Sequence, residues 1–241
     1  MLVVGASSGI GRALAIHAVH AGAQVCAAAR RSGELAAWCD EAGGGHAITG
    51  DVTNPEDCRR IVNESATLMG GLDLLVYAAG AGTPALLTDA DSVAWHHDYA
   101  VNVVGATLVC GAALSVLAPH GLVSFISSEA ATEVRWGLSS YAASKAALDA
   151  TIRSWRVEHP DRRFQRIVMG ATVGTDFGNG FDMDLITIAL GRWVASGVSL
   201  TMMEADDVGR QLSEMFAVLL AHPGIDVPDL CLDPRGEPWP T

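Results

Sequence analysis

The chain has 241 residues, of which half are hydrophobic, and its formal net charge at pH 7 is −12. This length suits one α/β domain with a full core, and the negative charge argues against nucleic acid or an anionic membrane surface as a partner. The five cysteines form no close pair, and most lie in apolar or helical stretches. We therefore expect reduced, buried thiols in a cytoplasmic protein, without a disulfide framework or a zinc site. No charged leader precedes a hydrophobic segment at the N-terminus, so we expect no signal peptide.

Short apolar runs alternate with helical stretches in chain order. The runs predicted as buried parallel strands are Leu2–Val4, Gln24–Ala28, His46–Ile48, Leu72–Tyr77, Leu122–Ile126 and Arg166–Met169, with a last strand near Val227–Leu232. The stretches predicted as helices are Gly9–Ala21, Gly33–Glu41, Pro55–Met69, Ser92–Leu117, Ser139–His159 and Asp206–Ala221. This alternation predicts an α/β fold, a doubly wound parallel sheet with helices on both faces, in a single domain spanning residues 1–241. Ligands of such sheets bind at the carboxyl ends of the strands, near the point where the strand order reverses.

The apolar segment Tyr99–His120 is long enough to cross a membrane. It contains polar and small residues, Asn102 among them, and it lies between two αβ repeats that need a crossover helix. We therefore predict a buried or interface helix and no membrane span. The adjacent His96 and His97 point in different directions and have no cluster of carboxylates or thiols beside them, so we predict helix surface there and no metal site.

A glycine-rich turn links the first predicted strand to the first predicted helix, with the spacing Gly-x-x-x-Gly-x-Gly. Glycine permits a tight turn and a close approach of the backbone to a phosphate, and the helix N-terminus offers free N–H groups. The residues of this turn predicted to bind a dinucleotide are Gly5, Ser7, Ser8, Gly9, Ile10 and Gly11. The spacing differs from Gly-x-Gly-x-x-Gly, so a plain strand-to-helix turn is an equal alternative when the motif is taken alone.

Tyr141 and Lys145 are four residues apart in a predicted helix, and Ser128 lies thirteen residues before the tyrosine. Residues four apart lie on the same helix face, so a phenol and an ammonium are expected side by side. A nearby positive charge is expected to lower the pKa of Tyr141 and to make it an acid or base at a carbonyl oxygen. A Tyr-x-x-x-Lys pair alone is weak evidence for a catalytic site, but together with the glycine turn it favours a nucleotide-dependent site. Ser127 is an alternative to Ser128 as the source of a hydroxyl.

The glycine turn, Asn102, Ser128, Tyr141 and Lys145, in this order and spacing, resemble the short-chain dehydrogenase/reductase family over nearly the whole chain. The resemblance implies a Rossmann-type fold and hydride exchange between a nicotinamide cofactor and a carbonyl or alcohol. It implies that Asn102, Ser128, Tyr141 and Lys145 are catalytic, with the lysine also holding the nicotinamide ribose. It further implies a homodimer or homotetramer, because the long central helix of the family often packs against its twin.

Two arginines, Arg30 and Arg31, follow the second predicted strand, and no acidic residue directly precedes them. A guanidinium suits the 2′-phosphate of NADP, whereas an acidic side chain here would bind the ribose of NAD. We therefore predict that the chain prefers NADP(H) to NAD(H). The alternative is that the two arginines bind no phosphate and form only the solvated start of the next helix. The resemblance points the same way.

Further cofactor contacts are implied by the resemblance. They are Asp51 and Val52 after the third strand, Ala78, Ala79 and Gly80 after the fourth, the pair Tyr141 and Lys145, and Val173 and Thr175 after the sixth. Asp51 would meet the adenine, although a helix-capping role is the alternative. The chain departs from the family pattern at Val4, at Tyr77–Ala79, where two asparagines are usual, and at Gly170–Ala171, where Pro-Gly is usual. We expect the missing asparagines to weaken the bracing of the strands.

The segment of residues 176–204 is predicted to be a substrate lid, since the resembled family shapes its substrate site there. Its apolar residues favour a hydrophobic ketone, aldehyde or alcohol, although ordinary helix core is the alternative interpretation of half of them. Three aspartates of the lid disfavour an anionic substrate, whereas Arg135 and Arg192 argue the other way. The function predicted is an NADP(H)-dependent oxidoreductase, and the alternative is a catalytically quiet NADP(H)-binding sensor or partner protein.

Overall fold

A computed structural model of the chain describes residues 1–179 and 181–235. Seven strands form one parallel sheet: β1 (Leu2–Val4), β2 (Cys26–Ala29), β3 (His46–Thr49), β4 (Leu72–Tyr77), β5 (Leu117–Ile126), β6 (Arg163–Met169) and, named after two short strands described below, β9 (Asp229–Leu232). Their spatial order is β3-β2-β1-β4-β5-β6-β9, so the order reverses between β1 and β4. The prediction of a doubly wound parallel sheet in one Rossmann-type domain is confirmed.

Eight helices surround the sheet in the described residues: α1 (Gly9–His20), α2 (Ser32–Ala42), α3 (Pro55–Met69), α4 (Ser92–Tyr99), α5 (Ala106–Ala113), α6 (Ser139–Glu158), α7 (Met183–Ala195) and α8 (Ala205–Ala221). The strands have hydrophobic residues on both faces because successive side chains point to opposite sides. In β1, Leu2 and Val4 join the core cluster that includes α3, α5 and α6, whereas Val3 joins the cluster that includes α1, α2 and α8. Two separate cores therefore cover the two faces of the sheet.

The predicted helix Ser92–Leu117 is confirmed as a continuous helical run only as far as Ala113, and it is not α-helical throughout. The chain forms α4, then a π-helical segment over Ala100–Gly105, then α5, which ends at Ala113. Leu117 already belongs to β5, where it pairs with Leu72 across a register shift. The pairing with β4 accounts for the difference, since it extends β5 at its N-terminal end beyond the predicted Leu122–Ile126. No helix in the described residues is both long and apolar enough to span a bilayer.

Two short strands, β7 (Thr172–Val173) and β8 (Met203–Glu204), pair in parallel outside the main sheet. They bracket α7, and neither they nor α7 are among the predicted elements. The remaining predicted boundaries agree with the structure to within a few residues, which is the usual precision at the ends of helices and strands.

Tyr77, at the end of β4, braces the sheet against the π-helical segment. Its buried hydroxyl donates a hydrogen bond of 2.6 Å to the carbonyl oxygen of Val101. Gly105 leaves room for this contact, because a Cβ there would lie 2.8 Å from the phenol oxygen. Where the family usually has two asparagines, a tyrosine hydroxyl therefore makes one connection between β4 and the π-helical segment.

We predict that Tyr77→Phe lowers the free energy of unfolding by about 1–3 kcal/mol, because the Val101 carbonyl loses its buried donor. Urea unfolding followed by circular dichroism measures this loss. Tyr99→Phe is the matched control, since Tyr99 has no hydrogen bond through its hydroxyl to another described residue. Equal stability of the two variants would show that the Tyr77 hydroxyl contributes nothing to the bracing.

Candidate active site

A cavity of about 890 Å³ opens at the carboxyl edge of the sheet, where the strand order reverses. The turn after β1, the ends of β2 and β4, the loop after β5 and the first turns of α6 all contribute to its walls. Parallel strands bring these loops to one edge even though they are far apart in sequence. Most of the predicted site residues therefore share one cavity.

The glycine turn lines this cavity with bare backbone. Gly5 has φ +93°, and a Cβ there would lie 2.4 Å from the backbone nitrogen of Ala79. A Cβ at Gly11 would lie 2.4 Å from the carbonyl oxygen of Gly5. Ser8 precedes α1 without capping it through its side chain, which leaves the first N–H groups of the helix to face the cavity. Such a cradle fits the pyrophosphate of a dinucleotide, and the residues present therefore suit that cofactor.

Arg30 and Arg31 both line the cavity but differ in their contacts. Arg31 donates hydrogen bonds of 2.8 Å to the Ser7 hydroxyl and 3.0 Å to the Ser8 hydroxyl, and pairs with Asp176 at 2.6 Å. Arg30 is exposed and has no ion-pair partner among the described residues. Arg30 is therefore the guanidinium that is available to an incoming phosphate.

Two predicted cofactor residues do not line the cavity. Asp51 accepts hydrogen bonds of 2.9 Å from both the backbone N–H and the hydroxyl of Thr53 through one carboxylate oxygen. The capping alternative is wrong for Asp51, because the cap of α3 is Asn54, whose side chain accepts a hydrogen bond from the Glu56 N–H. Val173 lies in β7 and pairs with Glu204. Val52, next to Asp51, and Thr175, two residues after Val173, do line the cavity.

Ser128, Tyr141 and Lys145 converge in the cavity wall. The Lys145 amine lies 5.7 Å from the centre of the Tyr141 ring and donates a hydrogen bond of 2.9 Å to the carbonyl oxygen of Ile126. The competing Ser127 hydroxyl is committed elsewhere, because it donates a 2.5 Å hydrogen bond to Asp149. Ser128 is thus the serine whose hydroxyl is placed at the phenol.

The electrostatics of this trio differ from the expectation of a lowered tyrosine pKa. Burial raises the pKa of Tyr141 to about 12, and the Ser128 hydroxyl, acting in the opposite direction, offsets only part of this effect. Burial lowers the pKa of Lys145 to about 8, against the attraction of Asp149. The predicted lowering of the Tyr141 pKa is therefore wrong for this structure, because loss of water outweighs the neighbouring amine, whose own charge is disfavoured by the same burial.

Asn102 lies behind the cavity in the π-helical segment and is fully buried. Its side chain accepts a hydrogen bond of 2.9 Å from the Ala81 N–H, and donates one of 2.7 Å to the Ala81 carbonyl and one of 2.8 Å to the Ser144 hydroxyl. It thereby ties the loop after β4 to α6, one turn from Tyr141. π-helical turns are often found at functional sites.

Aromatic side chains from the segment after β7 cover the tyrosine. Phe177 packs on Tyr141 with ring centres 4.6 Å apart, and Phe181 packs edge-on to Phe177 at 5.4 Å. Gly82 makes room, since a Cβ there would lie 2.7 Å from the Phe177 ring. Trp193 of α7 donates a hydrogen bond of 3.0 Å to the carbonyl of Trp136, which closes this apolar roof.

Sequence reasoning missed one residue at this site and one property of another. Asp98 of α4 is a buried carboxylate in the cavity wall, and its place one helical turn before Asn102 is the signal that could have found it.

Lys145 is the only lysine of the chain, beside fourteen arginines. A buried lysine in a chain whose other cationic side chains are arginine is a candidate for chemistry, because the pKa of an amine shifts readily on burial whereas a guanidinium stays charged.

We predict that Lys145 titrates near pH 8 in the folded protein, because burial disfavours its charged form. Labelling with ¹³C-lysine gives a single side-chain resonance, whose shift against pH reports the midpoint directly. The urea-unfolded chain is the control and is expected to titrate near 10.5. A folded midpoint at or above the unfolded one would show that the amine is hydrated.

The family model of short chain dehydrogenases matches residues 1–183. A glucose 1-dehydrogenase from Gluconobacter oxydans (strain 621H) is 34% identical over 183 residues, which cover 72% of this chain and 69% of that protein. An 11-beta-hydroxysteroid dehydrogenase 1A from Arabidopsis thaliana is 36% identical over 167 residues, which cover 66% of this chain but 47% of that protein. The chain thus spans about half the length of some relatives.

Solved structures agree with the family match. A short chain dehydrogenase from Burkholderia cenocepacia J2315 in complex with NADP has a TM-score of 0.80 at 27% identity, covering 96% of this chain and 95% of that chain. An alcohol dehydrogenase from the archaeon Thermococcus sibiricus has the same TM-score at 22% identity, covering 96% and 94%, which supports the fold alone. The resemblance inferred from the motifs is therefore confirmed: the chain is an oxidoreductase that belongs to the short-chain dehydrogenase/reductase family.

Proposed function

We propose that the chain is an NADP(H)-dependent oxidoreductase that interconverts a hydrophobic ketone or aldehyde and the corresponding alcohol. The observation that carries this proposal is the convergence of Ser128, Tyr141 and Lys145 on one cavity with the bare glycine turn. Neither part is diagnostic alone, but their shared cavity supports a site in which an acid–base group acts beside a bound dinucleotide. Asn102 supports both by holding the loop between them.

When bound, NADPH supplies the hydride that reduces the substrate carbon. The Tyr141 phenol gives its proton to the oxygen as negative charge develops there. Ser128 donates a hydrogen bond to the same oxygen and stabilises that charge before the proton arrives. Lys145, held by the Ile126 carbonyl, is placed to return a proton to the phenolate and, by family resemblance, to hold the nicotinamide ribose. Alcohol oxidation follows the same path in reverse.

Preference for NADP(H) over NAD(H) is supported by the exposed Arg30 at the end of β2. Its guanidinium can bind two oxygens of a 2′-phosphate. The Burkholderia relative is described as a complex with NADP, which is consistent with this preference. Arg31 is bound to Ser7, Ser8 and Asp176, so it can bind the 2′-phosphate only after it releases those contacts.

A neutral, hydrophobic substrate is supported by the charges and the roof of the cavity. Arg135 lines the cavity, but Glu129 and Glu133 lie 3.1 Å and 3.2 Å from its guanidinium, so it is not a free cation for a substrate carboxylate. Arg192 stacks on Trp136 at 4.8 Å. We infer that residues 176–204, of which Gly180 lies outside the described residues, act as the substrate lid, with Phe177 against the reacting group.

Self-association and a cytoplasmic location are also part of the proposal. Val93 and Val104, on α4 and the π-helical segment, are 73% and 51% exposed. Apolar side chains on this central helix favour a homodimer or homotetramer built across it.

We predict that Tyr141→Phe lowers turnover at least about 100-fold while the NADPH dissociation constant changes less than about two-fold, because the phenol acts in proton transfer. Loss of reduced nicotinamide with a panel of apolar ketones and NADPH fluorescence titration measure the two quantities. Tyr99→Phe is the control. Parallel loss of binding and turnover would make Tyr141 structural. A wild-type chain that binds NADPH but reduces no ketone would favour the alternative function, a catalytically quiet NADP(H)-binding sensor or partner protein.

We predict that Arg30→Asp weakens NADPH binding on the order of ten-fold and leaves NADH binding nearly unchanged, since only NADPH loses a charge-assisted contact. Arg59→Asp is the matched control, because Arg59 is exposed on α3 and outside the cavity. An unaltered ratio of the two affinities would remove Arg30 from the phosphate site.

A further inference from the structure

Asp176 and Phe177 are consecutive residues whose side chains contact two different parts of the active-site cavity. The Asp176 carboxylate pairs with the Arg31 guanidinium at 2.6 Å, beside the glycine turn. The Phe177 ring packs on the Tyr141 ring, with the ring centres 4.6 Å apart. This short segment therefore connects the proposed phosphate site to the proposed catalytic tyrosine.

Each nitrogen of the Arg31 guanidinium has a partner. Nε and one terminal nitrogen donate to the Ser7 hydroxyl at 3.3 Å and 2.8 Å, the same terminal nitrogen donates to the Ser8 hydroxyl at 3.0 Å, and the other terminal nitrogen pairs with Asp176. A phosphate bound to a guanidinium through two oxygens needs two of these N–H groups. The serine hydroxyls can themselves donate to that phosphate, whereas an ionised carboxylate only accepts and repels it. Asp176 is thus the partner that a phosphate displaces.

The ion pair between Arg31 and Asp176 is only partly shielded from water, because the two side chains are 43% and 39% exposed. Ion pairs at such positions are weak. The hydrogen bond from Arg31 lowers the pKa of Asp176, so the carboxylate is ionised at neutral pH. A phosphate carries at least as much charge and can therefore take Arg31 from it.

Asp176 and Phe177 lie in one compact turn. The backbone N–H of Asn179 donates a hydrogen bond of 3.0 Å to the carbonyl oxygen of Asp176, and its side-chain amide donates one of 2.9 Å to the Asp176 carboxylate. Phe181 packs edge-on to Phe177 at 5.4 Å. A displacement of the Asp176 carboxylate is therefore expected to move Phe177 as well.

Phe177 fills the space beside the tyrosine ring. A Cβ at Gly82 would lie 2.7 Å from the Phe177 ring and 3.1 Å from the Tyr141 ring, so both rings pack closely on the glycine backbone. Two rings in contact leave no room for a substrate between them. A substrate that approaches Tyr141 from this side needs Phe177 to move.

We propose that Asp176 is a positioning residue that holds Phe177 against Tyr141 through its ion pair with Arg31, and that a phosphate of the dinucleotide releases this contact by binding Arg31. Cofactor binding at the glycine turn then uncovers the tyrosine on the side of the lid. One carboxylate thereby couples the cofactor site to the substrate site. This inference rests on the proposed function, since the dinucleotide is part of it.

The test uses adenosine 2′,5′-bisphosphate, which carries phosphates but no nicotinamide, so the ligand places no nicotinamide ring against Phe177. The chain is labelled with 4-fluorophenylalanine, and the Phe177 signal among the five phenylalanines is identified by its loss in Phe177→Leu. We expect the bisphosphate to shift this ¹⁹F signal. Adenosine, which has the same base and ribose but no phosphate, is expected to leave it in place.

Asp176→Asn removes the charge and keeps the shape of the side chain. We expect its ¹⁹F signal without ligand to lie near the position that the bisphosphate produces in the wild-type chain. We also expect the bisphosphate to bind about two- to five-fold tighter, as for the loss of a partly exposed ion pair that competes with it. Asp176→Ala is the second variant, should Asp176→Asn keep a hydrogen bond to Arg31 or not fold.

Glu34→Gln is the matched control, because Glu34 lies 3.8 Å from the same guanidinium but belongs to α2 and not to the lid. We expect its Phe177 signal to stay at the wild-type position. An unchanged signal in both Asp176 variants, or an equal shift in Glu34→Gln, would overturn the inference. Weaker binding of the bisphosphate by the Asp176 variants would also overturn it, because the ion pair would then close over the bound nucleotide.

The outcome is distinct from that of the proposed function. A wild-type chain that binds NADPH and reduces ketones, but whose Phe177 signal does not respond to the bisphosphate, would contradict this inference alone. A chain that binds no NADPH would contradict both.

Discussion

Burial of a phenol and an amine on successive turns of α6 is the constraint on which the site depends. Both side chains lie where the sheet edge, the loop after β5 and the apolar roof exclude water. Burial therefore raises the pKa of Tyr141 and lowers that of Lys145, and each shift favours the neutral form. Tyr141 thus holds its proton, and Lys145 exchanges one near neutral pH. A neutral phenol costs less to bury than a phenolate, and it is also the form that can donate a proton to an oxygen.

The scaffold keeps this pair in place with hydrogen bonds to backbone groups. Lys145 is anchored on a carbonyl at the end of β5, Asn102 on both backbone groups of Ala81, and Tyr77 on the carbonyl of Val101. Each bond joins one element to another, and those of Lys145 and Asn102 tie the end of β5 and the loop after β4 to α6. The π-helical segment between α4 and α5 makes two of these contacts possible, because it presents the carbonyl of Val101 to Tyr77 and the side chain of Asn102 to Ala81.

The fold and most of the cavity wall could be predicted from the sequence, because both follow from local pattern. Strand–helix alternation dictates the sheet, and the glycine turn and the Tyr141–Lys145 spacing each lie within one or two elements. What could not be predicted depends on packing. The direction of the shift in the Tyr141 pKa is set by burial, and the hydrogen bonds of Asp51 are set by Thr53. The hydrogen bonds that satisfy the buried Asp98 come from residues of two other elements.

A crystal structure of the chain with NADP⁺ is the most direct test of the central claim that this cavity joins a dinucleotide to the buried tyrosine. The account predicts the pyrophosphate on the glycine turn at the start of α1, the 2′-phosphate on Arg30, and the nicotinamide ring beside the hydroxyls of Ser128 and Tyr141. A dinucleotide bound elsewhere, or one whose nicotinamide lies beyond reach of the phenol, would contradict it.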